Sequence, residues 1–174
     1  LRRGAGTGDL GVRASGLARA SRLAWRQRDY LSTRALLDES LAIGRKLDDP
    51  LGVARRLRSL ALVDVAQGDL DEASRLCEES VSLFRRHADR YGLGLALAFL
   101  GMTHQLAGEA GRAAPCVREA LDSNRSHGSI TGSLYSLGSM CFGAIAAGDM
   151  AGLRAHMVEV LGLLLTLGGK HEEP

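Results

Sequence analysis

Five histidines (His87, His104, His127, His156, His171) and three cysteines (Cys77, Cys116, Cys141) are the residues of this chain best suited to metal or nucleophile chemistry. A helical metal site sets two histidines at i and i+4 on one face, with a carboxylate nearby. No histidine here has that spacing, and no cysteine pair stands in a CxxC. No Ser-His-Asp or Cys-His arrangement can be argued from spacing either. Gly4-Ala5-Gly6-Thr7-Gly8 has the glycines of a phosphate-cradling loop but lacks the Lys-Ser/Thr ending and a preceding strand. It reads as part of a flexible N-terminal segment, residues 1–11. Glu39, Glu79, Glu119 and Glu159 share a column but stand forty residues apart. Links to surface arginines are their ordinary use. The expectation is a protein that is not an enzyme, with no cofactor and no metal.

Composition bounds the elements that position these side chains. Of 174 residues, 45% are hydrophobic and only 4% aromatic, with three prolines, so a continuous helical core is favoured over sheet. Lys and Arg total 22 against 20 Asp and Glu, too balanced a charge for a nucleic-acid footprint. Arg2, Arg3, Arg13, Arg19, Arg22, Arg26 and Arg28 face Asp9 alone in the first 28 residues, which reads as a solvated basic face. The cysteines fall at apolar helical positions, as small core residues of a reducing cytoplasm do. The longest apolar run, Val160 to Leu167, is far short of the ~20 residues of a membrane span, so no membrane partner is expected. A start at Leu1 rather than Met raises the expectation of a piece of something longer.

Internal repetition is the dominant signal. Gln27-Arg28-Asp29, Gln67-Gly68-Asp69, Ala107-Gly108-Glu109 and Ala147-Gly148-Asp149 recur every 40 residues without insertion or deletion. Leu17, Leu57, Leu97 and Leu137 keep the same step, as does a small-residue column of Ser21, Ala61, Gly101 and Cys141. A second break lies near Asp48-Asp49-Pro50, Ala88-Asp89-Arg90 and His127-Gly128-Ser129. Each repeat is therefore two helices joined at a corner, where Gly takes the left-handed conformation and Asp caps the next helix. Helices are expected near 12–27, 30–47, 52–67, 70–87, 92–107, 110–127, 131–147 and 150–167. In the sixth, Pro115 either kinks the helix or stands in the first turn of one starting near Ala114, and the glycine-rich Gly108-Glu109-Ala110-Gly111 favours the late start. The domain plan is a single repeat array over 12–167, in repeats of about 12–50, 51–90, 91–130 and 131–167, with a tail over 168–174.

These columns resemble the tetratricopeptide repeat: Leu57, Leu60, Ala61, Gly68, Asp69 and Ala73 in the second repeat, and Leu97, Leu100, Gly101, Gly108 and Ala113 in the third. The usual aromatic of the first helix is replaced by Asp64, His104 and Ala144, and the usual Pro after the second helix is missing. The period of 40 and the phrases Gly68-Asp69-Leu70-Asp71-Glu72-Ala73 and Glu78-Glu79-Ser80-Val81 look like the long repeats of bacterial LuxR-type (maltose-activator kind) and SARP-type regulators. The resemblance covers about 12–167. It implies an all-α, right-handed TPR-like superhelix, or solenoid, of four antiparallel helix pairs, working in the cytoplasm as a protein-interaction scaffold or sensor module. An effector-binding receptor domain of a transcriptional activator is the alternative.

By the same resemblance, first helices line a concave groove. The residues expected there are Arg22, Arg26, Arg55, Arg58, Leu62, Met102, Gln105, Tyr135 and Phe142, basic at one end and apolar at the other. Such a groove suits a peptide or helix with apolar anchors flanked by Asp or Glu. The apolar members would serve equally well as packing on a neighbouring helix. Lys46 and Lys170, the only lysines, occupy no carboxylate-clamp position. The last helix is apolar nearly all round, so self-association through Leu161, Leu164 and Leu165 is expected.

Overall fold

The computed structural model describes residues 3–168, with side chains from Asp9 to Leu167. Among these residues the chain forms eight helices and no strand: α1 (Arg3–Arg26), α2 (Tyr30–Lys46), α3 (Pro50–Gln67), α4 (Leu70–Arg86), α5 (Arg90–Leu106), α6 (Ala110–Ser126), α7 (Ile130–Ala147) and α8 (Met150–Gly168). Contacts divide them into two compact units at Asp89/Arg90, an N-terminal one of α1–α4 and a C-terminal one of α5–α8. In each unit, successive helices pack on one another. The architecture is all-α, built from four helix pairs.

One corner recurs throughout. Residues 28, 48, 68, 88, 108, 128 and 148 all have positive φ, so a left-handed residue ends a helix every twenty positions. The next N–H reaches back five residues at each corner, for example Asp29 to Ala24 at 3.0 Å, Asp69 to Asp64 at 2.9 Å and Asp149 to Ala144 at 2.9 Å. This is the bond that satisfies orphan carbonyls at a helix end. Glycine fills four of the seven positions, while Arg28, Asp48 and Ala88 adopt the same conformation with a Cβ. The following side chain caps the next helix: Asp29 accepts from the Ser32 N–H at 3.0 Å, Asp49 from Gly52 at 2.8 Å, Asp69 from Glu72 at 3.2 Å and Asp149 from Gly152 at 2.9 Å. Within each unit, corners this short return each helix alongside its predecessor.

Buried serines tie two of the pairs together. Ser40 Oγ donates to the Ala14 carbonyl at 2.7 Å, and one repeat later Ser80 Oγ donates to Ala54 at 2.8 Å. Arg56, only 8% exposed, donates from Nε to the same Ser40 Oγ at 2.7 Å, which links α3 to α2. Burial pulls its guanidinium below the usual range, and Asp49, 3.7 Å away, opposes that pull. Close approach elsewhere depends on missing side chains. A Cβ on Gly101 would stand 2.4 Å from Val117 Cγ2, and one on Gly132 would stand 2.2 Å from Asn124 Oδ1.

Several expectations are corrected. Residues 3–11 belong to α1 and are not a separate flexible segment, because extending a packed helix adds one hydrogen bond per residue fixed while only the first turn is costly. The glycine-rich stretch 4–8 is thus helical rather than a loop. Of the expected tail, Gly168 ends α8, and 169–174, with Lys170 and His171, lie outside the described residues; so do Leu1 and Arg2. α6 starts at Ala110 and carries Pro115 inside it. Pro115 has no N–H to donate to the Gly111 carbonyl, yet burial of Ala113, Val117, Ala120 and Leu121 along one face holds the helix. Glu109 makes no capping bond; one methylene longer than Asp, it reaches His104 Nδ1 at 2.7 Å and Arg112 at 2.9 Å instead. Finally, Ile130–Ala147 and Met150–Leu167 are long and apolar enough to cross a membrane by length and composition, with mean hydropathies of 1.3 and 1.4. Glycine and serine break up the apolar run of the first, and Arg154, His156 and Glu159 that of the second, which hides their character from a search for unbroken runs. In the fold, 39% of the first window is buried and none of the second.

Candidate functional site

The C-terminal unit contains a cleft of about 320 Å³ between the two first helices, α5 and α7. Residues at helical spacing on each helix point into it: Phe99, Met102 and Leu106 from α5, Leu134, Tyr135 and Phe142 from α7. Phe99 and Tyr135 form a tilted ring pair with centroids 5.6 Å apart. Tyr135 and Phe142 keep 53% and 50% of their surface in solvent. Gln105 braces the cleft: its Nε2 donates to the Ser139 carbonyl at 2.6 Å and its Oε1 accepts from Ser139 Oγ. With both ends of the amide occupied, Gln105 contributes a fixed wall instead of a free polar group.

Four of the nine expected groove residues, Met102, Gln105, Tyr135 and Phe142, line this one cleft. The other five lie in the N-terminal unit. Arg22 and Arg26 on α1 and Arg55 on α3 are exposed, while Arg58 and Leu62 are half-buried. Phe99 and Leu134 line the cleft without having been expected there. The ring pairing of Phe99 with Tyr135 depends on how far α7 advances along α5, which no single-helix periodicity encodes. Of the self-association candidates, Leu161, Leu164 and Leu165 are 55%, 46% and 77% exposed.

The residues considered for chemistry are placed as follows. His104 is 2% exposed and bound to Glu109, His156 is half-buried, and His87 and His127 are exposed. Cys77 and Cys141 are buried and Cys116 is half-buried, all as free thiols; burial pushes the Cys141 thiol up. Among the described residues no three His, Cys, Asp or Glu side chains gather as a metal site. The glutamate column engages arginines: Glu39 with Arg13, Glu79 with Arg45 and Arg75, and Glu159 with Arg125.

A stack of paired helices with aromatic residues exposed between first helices defines an all-α helix-pair repeat protein. Comparison with known proteins specifies the type. The sequence profile of the tetratricopeptide repeat matches residues 57–126. The fold is similar to the nearly identical TPR-like repeats of a candidate kinesin light chain from Podosopora anserina. A form of that protein carrying a single substitution gives a TM-score of 0.69 at 15% identity over 90% of this chain and 76% of that one. The unsubstituted form gives 0.65 at 16% identity over 89% and 76%. BtubC (BKLC) from P. vanneervenii gives 0.58 at 15% identity over 95% and 85%. No curated protein matches the chain in sequence. The chain thus has the fold of tetratricopeptide-like repeats, and its residues 57–126 match the tetratricopeptide repeat profile. Tetratricopeptide repeats generally mediate protein–protein interaction.

Proposed function

We propose that this protein is a non-catalytic scaffold or sensor module of a bacterial signalling or transcriptional regulator, acting in the cytoplasm by holding a peptide or helix of a protein partner. The observation that carries the reading is the apolar cleft between α5 and α7, where Met102, Tyr135 and Phe142 stand at spacings suited to successive anchors of an amphipathic helix. The arginines exposed by the N-terminal unit, Arg22, Arg26 and Arg55, suit acidic side chains of a partner. The forty-residue period and the Gly68-Asp69-Leu70-Asp71-Glu72-Ala73 phrase support the regulator assignment. The nearly even charge supports a partner other than nucleic acid. On the uncovered apolar face of α8, we place a second copy of the chain.

A displayed-peptide library tests the cleft directly. Wild-type protein is expected to select helical peptides with apolar anchors flanked by Asp or Glu. The Met102→Asp, Phe142→Asp double variant is expected to lose those peptides while its circular dichroism stays helical. Selection of the same peptides by the double variant would remove the proposal.

A further inference from the structure

The C-terminal unit holds a second cleft, of about 490 Å³, bounded by α6, α7 and α8. Its walls are small and apolar, with Ala113, Ala114 and Val117 from α6 and Met140, Ala144 and Ala147 from α7. The repeat itself explains the gap. In the N-terminal unit, Arg34 of α2 forms an ion pair with Asp64 of α3, and Asp64 is 2% exposed. Two repeats later the same positions are Ala114 and Ala144, and both alanines line the cleft. Where one unit sets a guanidinium and a carboxylate between a second helix and the next first helix, the other sets two methyl groups. No larger neighbour fills the volume.

The rim carries charge. Arg118 of α6 and His156 of α8 line the cleft, and among the described residues neither engages a carboxylate. The third charged group, Asp149, is occupied as the cap of α8 through the Gly152 N–H at 2.9 Å. The volume falls in the range of about 300–1,000 Å³ that small-molecule sites occupy. We infer that this cleft binds a small apolar molecule bearing a carboxylate, its apolar body against the alanines and its carboxylate at Arg118 and His156. A planar guanidinium holds a carboxylate bidentately, which sets the polar end of the ligand. The site is separate from the peptide reading, although Phe142 and Gln105 border both clefts.

Decanoate is the probe, with decanol as its uncharged counterpart, in isothermal titration against the whole chain. Decanoate is expected to bind one saturable site about tenfold or more tightly than decanol, the increment of a charge-assisted hydrogen bond. Arg118→Gln is expected to weaken decanoate towards decanol and to leave decanol unchanged. The Ala114→Arg, Ala144→Asp double variant rebuilds the ion pair of the N-terminal unit and is expected to abolish decanoate binding while peptide capture persists. Should that pair prevent folding, as read by circular dichroism, Ala144→Met fills the same space and carries the same expectation. No saturable decanoate binding to wild type, or equal binding by a folded variant with the cleft filled, overturns the inference. Loss of peptide capture in Met102→Asp with decanoate binding intact separates this site from the proposed function.

Discussion

Arg34 on α2 and Asp64 on α3 form an ion pair whose carboxylate is almost wholly withdrawn from water. The second Asp64 oxygen, Oδ2, has no hydrogen-bond partner. Removing Arg34 alone leaves a buried charge unopposed, so Arg34→Ala is expected to destabilise by about 2–4 kcal/mol, toward the low end because Arg34 itself is about a third exposed. Arg34→Ala with Asp64→Ala copies the arrangement at Ala114 and Ala144. It is expected to cost less than the single change. Urea denaturation of the two singles and the double closes the cycle; a double variant weaker than Arg34→Ala would contradict the burial argument.

The corner at Ala88 carries the same φ as its glycine counterparts, 54° against 63–84° at Gly128, Gly148, Gly108 and Gly68. A left-handed residue with a Cβ is disfavoured by roughly 1–2 kcal/mol, and the added freedom of glycine in the unfolded chain offsets part of that. Ala88→Gly is therefore expected to stabilise by about 0.5–1 kcal/mol, read as a raised melting temperature. Gly148→Ala should shift it the other way.

Gly101 of α5 packs tightly against α6. A Cβ there would meet Val117 Cγ2 at 2.4 Å and the Ala113 carbonyl at 3.4 Å, so Gly101→Ala is expected to destabilise by about 1–3 kcal/mol through overpacking. Adding Val117→Ala should recover part of the loss, because the clash is chiefly with that side chain. Thermal denaturation of the single and the double variants distinguishes overpacking from a change in helix propensity, which would raise stability.

Two carboxylates, exposed Asp29 and half-buried Glu72, are held below the usual carboxylate range: Asp29 by its side-chain and backbone hydrogen bonds from Ser32, and Glu72 by its hydrogen bonds from Arg75. Their folded-state values lie below the unfolded ones. The stability they contribute is thus fully present above the ordinary range and is lost as pH falls through the depressed values. Asp29→Asn with Glu72→Gln should flatten the acid limb of a stability-versus-pH curve below about pH 4. Unaltered acid sensitivity in that variant would refute the assignment to these two groups.

The uncovered leucines of α8 predict concentration-dependent association. Fully burying a leucine is worth about 1.5–3 kcal/mol, so Leu161, Leu164 and Leu165 together suffice to hold a second copy. Leu161→Asp with Leu165→Asp is expected to sediment as a monomer at concentrations where the wild type does not. A monomeric wild type over the whole range would dispose of the idea.

The corners at Gly68, Gly108 and Gly148 were legible in the sequence because left-handed backbone and an Asx cap have residue preferences that act within four positions. Arg28, Asp48 and Ala88 take the same conformation without glycine, and there the constant period and the capping Asp29 and Asp49 carried the signal. Asp64 stood out as a departure from the usual repeat, yet its partner Arg34 lies thirty residues away on another helix, beyond any local pattern. Pro115 misled because its local penalty is easily read, whereas the burial of Val117 and Leu121 that outweighs it depends on neighbouring helices. In the cleft, Met102 and Phe142 followed from the resemblance to the tetratricopeptide repeat. Phe99 required knowing how α7 lies along α5, and the second cleft required knowing which columns shrink to alanine together.

The bond from Ser40 to Ala14 closes a helix pair within 26 residues of sequence. A contact so local needs no distant strand or helix to wait for. Each hairpin can be completed while later ones are still being synthesised, so nascent chain emerging from the ribosome spends little time with its leucines unprotected.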